Sequence, residues 1–319
     1  MNKVVLLVNL GSPEQLSVKS IRVFLRDFLS DKRVVGLPKF IWYPILYGII
    51  LPFRAKKLIH KYQQIWLENG ESPLCYYTKK QTELLSQLFD GLTTRAAYAY
   101  SYGAQDIKQV LHDLHATSQI DQLIVIPLYP QYSSSTTASV FDQIGSYYQQ
   151  KYYIPEIKFI NSFAANSSYI ELLANKVKNH WSQVGKADKL VVSFHSIPQK
   201  LVDNGDTYQK DCELTYKLLC AALNLNNNEA VLCYQSKFGR AKWIEPSTES
   251  TIKQLAKSSC MTIDVICPGF FSDCLETLEE IKVDYAGLFK RNGGNELRYI
   301  ACFNDDVQFS NLLKELVGE

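Results

Sequence analysis

The stretch FFSDCLETLEEIKVDY, residues 270–285, carries five acidic side chains between positions 273 and 284 and a single lysine among them. On an α-helix, at about 100° per residue, Asp273, Glu276, Glu280 and Asp284 fall within an arc of about 80°, opposite Phe271, Leu275, Leu278, Ile281 and Tyr285. Such a stripe reads first as a solvated face. However, like charges four residues apart, Glu276 with Glu280 and Glu280 with Asp284, repel by a few tenths of a kcal/mol each, and the one lysine among them, Lys282, projects near the apolar edge instead of relieving them. A line of carboxylates without counter-charge also suits a divalent cation or a proton relay. A second candidate is His195, which ends the apolar run LVVSF and precedes Ser196, Ile197 and Pro198. An imidazole at a strand end is placed for acid–base work, although a lone histidine is more often structural. His112 and His115 sit in a polar helical stretch and read as surface residues, and nothing around His180 marks it.

These residues need elements to position them. Short apolar runs at 4–10, 96–102, 123–130 and 157–163 recur in the second half at 189–196, 230–236, 262–270 and 297–303. Helical patterns separate them at 17–30, 78–90, 105–116, 168–183, 207–223 and 247–258. Near-continuous apolar strands alternating with helices predict parallel sheets covered on both faces, an α/β class. Four strands in each half predict two similar Rossmann-like lobes, 1–165 and 166–319, with an active-site cleft between them. In such sheets ligands gather at the carboxyl ends of strands, which places His195 and Glu276 at one such edge. The single glycine of NLGSPE matches neither a dinucleotide fingerprint nor a phosphate loop, and no nucleophile elbow occurs.

With 46% hydrophobic and 21% charged residues the 319-residue chain reads as a soluble globular protein, and a net charge of +2 gives no pull toward nucleic acid. Eight cysteines without a C-x-x-C pair argue against zinc or a compact cluster and for free thiols in a reducing cytoplasm. The N-terminal MNKVVLLVNLGSPE reads as a first strand. One segment strains the soluble reading: FIWYPILYGIILPF, residues 40–53, holds no charge, yet it is too short to span a bilayer and is broken by Pro44, Gly48 and Pro52. It reads either as a buried helix or as a membrane-touching lip. The run that follows, Arg54, Lys56, Lys57, His60 and Lys61, reads as a solvated face, an anionic-lipid contact or a carboxylate receptor.

Taken together, NLGSPE, ESPL (71–74), YPQYSSSTT (129–137), SFHSIP (193–198), NGDTY (204–208), YQSKFG (234–239) and PGFFSDCLETLEEI (268–281) resemble the ferrochelatase family, in its protoporphyrin-using branch, over nearly the whole chain. The resemblance implies a two-lobed, chelatase-like enzyme that inserts Fe2+ into protoporphyrin IX to form protohaem, releasing two protons. It implies His195 and Glu276 as the catalytic pair, either as base and relay or as metal ligands, with Glu280 and Asp284 as a proton or metal path. The substrate contacts it implies are Arg54, Lys57, Tyr62, Ser72, Tyr129 and Ser236, and 40–53 becomes the lip through which porphyrin enters. Many relatives carry an arginine where this chain has Ser101. Cofactors are expected to be none, since Fe2+ is a substrate, and no 2Fe–2S cluster is expected. The expected partners are protoporphyrin IX and Fe2+, with peripheral contact at the inner membrane, no nucleic acid, and a cytoplasmic monomer. The alternatives are a chelatase for another metal or tetrapyrrole, such as cobalt, and a non-catalytic haem or metal carrier.

Overall fold

The structure, a computed structural model, describes residues 2–226, 228–239 and 241–318. Eight strands form two parallel sheets. The first sheet contains β1 (Lys3–Asn9), β2 (Thr94–Tyr100), β3 (Gln122–Pro127) and β4 (Glu156–Phe159) in the order β2-β1-β3-β4. The second contains β5 (Lys189–His195), β6 (Ala230–Gln235), β7 (Thr262–Ile266) and β8 (Glu296–Ile300) in the order β6-β5-β7-β8. The expected α/β class with two like sheets is therefore observed. The central strands are apolar throughout because helices cover both faces: Val4 to Val8 and Val191, Val192 and Phe194 have no exposed surface.

The same reversal of order occurs in both sheets. From β1 the chain crosses to β2 on one side and then to β3 on the other, and β5, β6 and β7 repeat the pattern. Crossovers that leave in opposite directions open a crevice beyond the carboxyl ends of the two diverging strands. In the first sheet that point lies after Asn9 and Pro127, and in the second after His195 and Ile266. The loop after β1 depends on Gly11, whose φ is +94° and where a Cβ would stand 2.1 Å from the Tyr102 carbonyl oxygen.

The chain divides into two compact units, Met1–Tyr129 with Ser133–Asn161 and Asn304–Glu319, and Pro130–Tyr132 with Ser162–Phe303. This differs from a simple division after residue 165, because the last helix, Val307–Val317, returns to the first unit. There it lies on helix Pro73–Gln87, with Gln81 Nε2 donating to Asn304 O at 2.8 Å and Lys314 Nζ to Leu88 O at 3.1 Å. The hydroxyl-rich YPQYSSSTT leads into a further helix, Thr137–Tyr148, that the sequence reading does not predict.

Residues 39–65 form one helical run: Lys39–Ile45, a π-helical stretch Leu46–Ile50, then Leu51–Ile65. Pro44 and Pro52 each lack a backbone donor, and between them the bonding widens to i→i+5. Leu46, Leu51, Ala55, Tyr62 and Ile65 are buried, whereas Phe40 is 80% and Phe53 65% exposed, with Ile41, Ile45, Tyr47 and Ile49 exposed beside them. The buried-helix reading of 40–53 therefore holds for one face only. Among the described residues no helix is long and apolar enough to cross a membrane.

Two histidines differ from expectation. His115 is half-buried, its Nε2 lies 2.9 Å from the Tyr148 hydroxyl, and burial, aided by Lys151 and Arg95, pushes its pKa below the ordinary value. His180 Nε2 lies 3.0 Å from Asp264, a carboxylate with no exposed surface that also accepts from Trp181 Nε1 at 2.7 Å and from Arg298 Nε and Nη2 at 2.7 and 3.0 Å. Arg298 in turn donates to the carbonyls of Val184 and Gly185, tying helix Ser167–Val184 to β7 and β8. Removing one partner of a buried ion pair leaves the other uncompensated. Asp264→Ala is thus expected to destabilise the protein by about 3 kcal/mol, read as a lower urea midpoint by tryptophan fluorescence; an unchanged midpoint would contradict it.

Candidate functional site

In the second unit the crevice side chains come from three segments. His195 is the last residue of β5 and lies opposite Gln235, the last of β6. The segment after β7, Cys267 to Cys274, leads directly into the acidic helix Leu275–Tyr285. His195 is half-buried, and its Nδ1 is 2.6 Å from the carbonyl oxygen of Ser196. A carbonyl only accepts, so Nδ1 carries the proton and the neutral ring presents Nε2 as a bare acceptor.

Gln235, with only 1% of its surface exposed, holds these segments together. Its Nε2 donates to the carbonyl oxygen of Glu276 at 2.7 Å, and its Oε1 accepts from Ser193 Oγ at 2.7 Å and Cys267 Sγ at 3.5 Å. Its backbone oxygen accepts from Ser196 N at 2.8 Å. One amide thereby fixes the first turn of the acidic helix against the strand that ends in His195. In the sequence the motif YQSKFG points only to Ser236, because nothing local marks the neighbouring glutamine as a buried amide tie.

The acidic helix is π-helical over its whole length, Leu275–Tyr285. Its i→i+5 bonding sets more than four residues in a turn, so Glu276, Glu280 and Asp284 stack more nearly along the axis than on an α-helix. Asp273 does not join them. It precedes the helix, is buried, and its Oδ1 accepts from Tyr299 Oη at 2.6 Å and Thr277 Oγ1 at 3.1 Å, which corrects its place in the expected stripe. Glu276 is half-buried, and Asp284 at the far end is exposed. Burial, and next the Glu276 and Cys302 charges, holds the Cys274 thiol well above its ordinary pKa.

Between them, Glu280 is half-buried and tightly held. Ser236 N donates to its Oε1 at 2.9 Å, Ser236 Oγ donates to its Oε2, and Tyr285 Oη donates to its Oε1 at 2.8 Å. Burial, then the Glu280 charge, pushes the Tyr285 phenol up, which keeps it a donor. Ser236 reaches both oxygens because its φ is +63°, a left-handed turn directly after β6.

The remaining expected residues lie in the first unit. Arg54 and Lys57, three apart on helix Leu51–Ile65, share a face; Arg54 is half-buried and Lys57 exposed. Tyr62, on the same helix, is buried and meets the Trp66 ring edge-on at 5.9 Å. Ser72 is buried and caps helix Pro73–Gln87, accepting from Cys75 N at 3.3 Å, so its hydroxyl already has a structural task. Tyr129 follows β3 and is half-buried. Among the described residues no group of three or more His, Cys, Asp or Glu side chains is arranged to hold a metal ion.

The ferrochelatase family model matches residues 2–319. A ferrochelatase of Herminiimonas arsenicoxydans is 43% identical over 98% of this chain and 85% of its own length. One of Vibrio atlanticus is 42% identical over 98% of this chain and 97% of its own. Among solved structures, SirB from Bacillus subtilis with Fe3+ aligns over 100% of this chain and 95% of its own with a TM-score of 0.60 at 12% identity. The sirohydrochlorin chelatase SirB in complex with cobalt, from the subspecies spizizenii, gives a TM-score of 0.55 at 12% identity over 99% of this chain and 95% of its own. At such identity the likeness concerns the fold alone.

Losing the Gln235 amide removes a donor from the Glu276 carbonyl and an acceptor from the buried Ser193 hydroxyl, which keeps Thr248 as its other partner. Gln235→Ala is expected to destabilise the protein by about 2 kcal/mol, measured as a fall in the urea midpoint, and an unchanged midpoint would show that water replaces the amide without cost.

Proposed function

Since the chain belongs to the ferrochelatase family and inserts Fe2+ into protoporphyrin in the making of haem, we propose that His195 is the base that takes the pyrrole protons and that Glu276 passes them on. The reaction removes two N–H protons from a flat macrocycle as the metal sheds water and enters. An imidazole nitrogen that carries no proton is suited to accept them. The observation that carries the reading is the His195 Nδ1 contact to the Ser196 carbonyl, which leaves Nε2 as the free acceptor at the carboxyl edge of β5. Glu276 stands in the next segment on that edge, held through its own carbonyl by Gln235. The proton then leaves along the π-helix by way of Glu280 to Asp284, which is open to solvent.

On this reading the propionates of the porphyrin are received by Ser236 and by the Arg54 and Lys57 cations, with Tyr62 and Tyr129 as further contacts. Ser236 offers a backbone N–H and a hydroxyl to one carboxylate, and the two cations lie on one helix face. The exposed apolar row Phe40, Ile41, Ile45, Tyr47, Ile49 and Phe53, followed by exposed Lys56 and Lys57, suits shallow insertion beside anionic headgroups, which would bring an apolar substrate to the protein from the bilayer.

His195→Ala is expected to lower turnover by at least about 100-fold while the protoporphyrin dissociation constant, from fluorescence quenching, stays within a few-fold of the parent; near-normal turnover would overturn the assignment. The Phe40→Ser, Phe53→Ser double variant is expected to lose most of its co-sedimentation with vesicles containing anionic lipid. Co-sedimentation equal to that of the parent would remove the membrane contact from the account.

A further inference from the structure

We propose that Glu280 is a built-in competitor for the seat of a substrate carboxylate, so that a porphyrin propionate binds Ser236 only by displacing it. The inference rests on the reading that Ser236 receives a propionate. Ser236 has one amide hydrogen and one hydroxyl hydrogen, and both are directed at Glu280: N to Oε1 at 2.9 Å and Oγ to Oε2. Two donors on one left-handed residue, aimed at both oxygens of a single carboxylate, make a fitted carboxylate seat rather than a chance contact. An incoming propionate needs the same two hydrogens, and neither can serve two acceptors at full strength.

The exchange has an asymmetric consequence. Glu280 keeps one partner when displaced, the Tyr285 hydroxyl at 2.8 Å, so its carboxylate is not stranded in the half-buried crevice. Tyr285 lies five residues on along the same π-helix, one i→i+5 step away, and moves with it. The displaced Glu280 therefore remains attached to the helix that carries Glu276 and Asp284, and seating the substrate changes the middle member of that acidic line. Glu280 also sets a threshold for specificity. A carboxylate competes with it as an equal acceptor, whereas an uncharged ester oxygen does not.

The test uses the full chain and two probes, protoporphyrin IX and its dimethyl ester, titrated by fluorescence. Glu280→Ala is expected to tighten binding of the diacid about tenfold and to leave the ester within about twofold, and adding Ser236→Ala to that variant is expected to reverse the gain. If Glu280→Ala does not tighten diacid binding, yet Ser236→Ala in that background still weakens it selectively, the competition is overturned while the propionate contact stands. If Ser236→Ala in that background alters neither probe, Ser236 touches no propionate and both readings fall. Should Glu280→Ala fail to fold, Glu280→Gln keeps the shape with a poorer acceptor and is expected to tighten the diacid about threefold; no change there overturns the proposal.

Discussion

The structure turns on one buried amide. Parallel strands whose order reverses leave a crevice beyond β5 and β7, and something polar must tie the loops that edge it without drawing in water. Gln235 does so with both ends of its side chain, to Ser193 and Cys267 on one side and to the Glu276 carbonyl on the other. The register of β6 against β5 puts His195 directly opposite it. The imidazole and the first carboxylate of the helix are in this way referred to the same rigid strand pair rather than to mobile loops.

The acidic helix follows from the same edge. It enters through a cap in which Thr277 Oγ1 accepts from Cys274 N at 3.0 Å, and it continues with i→i+5 bonding to Tyr285. Wider turns carry a stability cost that an ordinary core helix avoids, and such stretches are found often at functional sites. Here the wider turn aligns carboxylates that an α-helix would fan apart. On the proposed reading that alignment gives protons a route to solvent while the porphyrin sits in an apolar crevice.

Much of this was legible in the amino-acid sequence, where the physical signal is local. The near-continuous apolar runs revealed the strands, their spacing revealed the α/β class, and the motif order revealed the family. What escaped depends on contacts distant in sequence. The buried Asp264 takes Arg298, His180 and Trp181, and none of these has a sequence neighbourhood that announces an ion pair. The helix Val307–Val317 continues the alternation of the second half yet belongs to the first unit, because its partners are there: it packs on helix Pro73–Gln87, Lys314 donates to the Leu88 carbonyl, and Lys158 donates to the carbonyls of Leu316 and Val317. Asp273 has the spacing of the acidic stripe, but the helix begins two residues later and Tyr299 claims it. Ser72 reads as a ligand contact from its motif, and its hydroxyl oxygen also caps the first turn of helix Pro73–Gln87, as its Ser-Pro sequence allows.

The central claim is that the bare Nε2 of His195 meets the pyrrole hydrogens. Its most direct test is a structure of this protein with metal-free porphyrin bound, measured from Nε2 to the nearest pyrrole nitrogen. The account predicts about 3 Å, or one bridging water, with Nδ1 still on the Ser196 carbonyl. A macrocycle bound with its nitrogens well beyond one water from Nε2, or a ring turned so that Nε2 faces away, would contradict it.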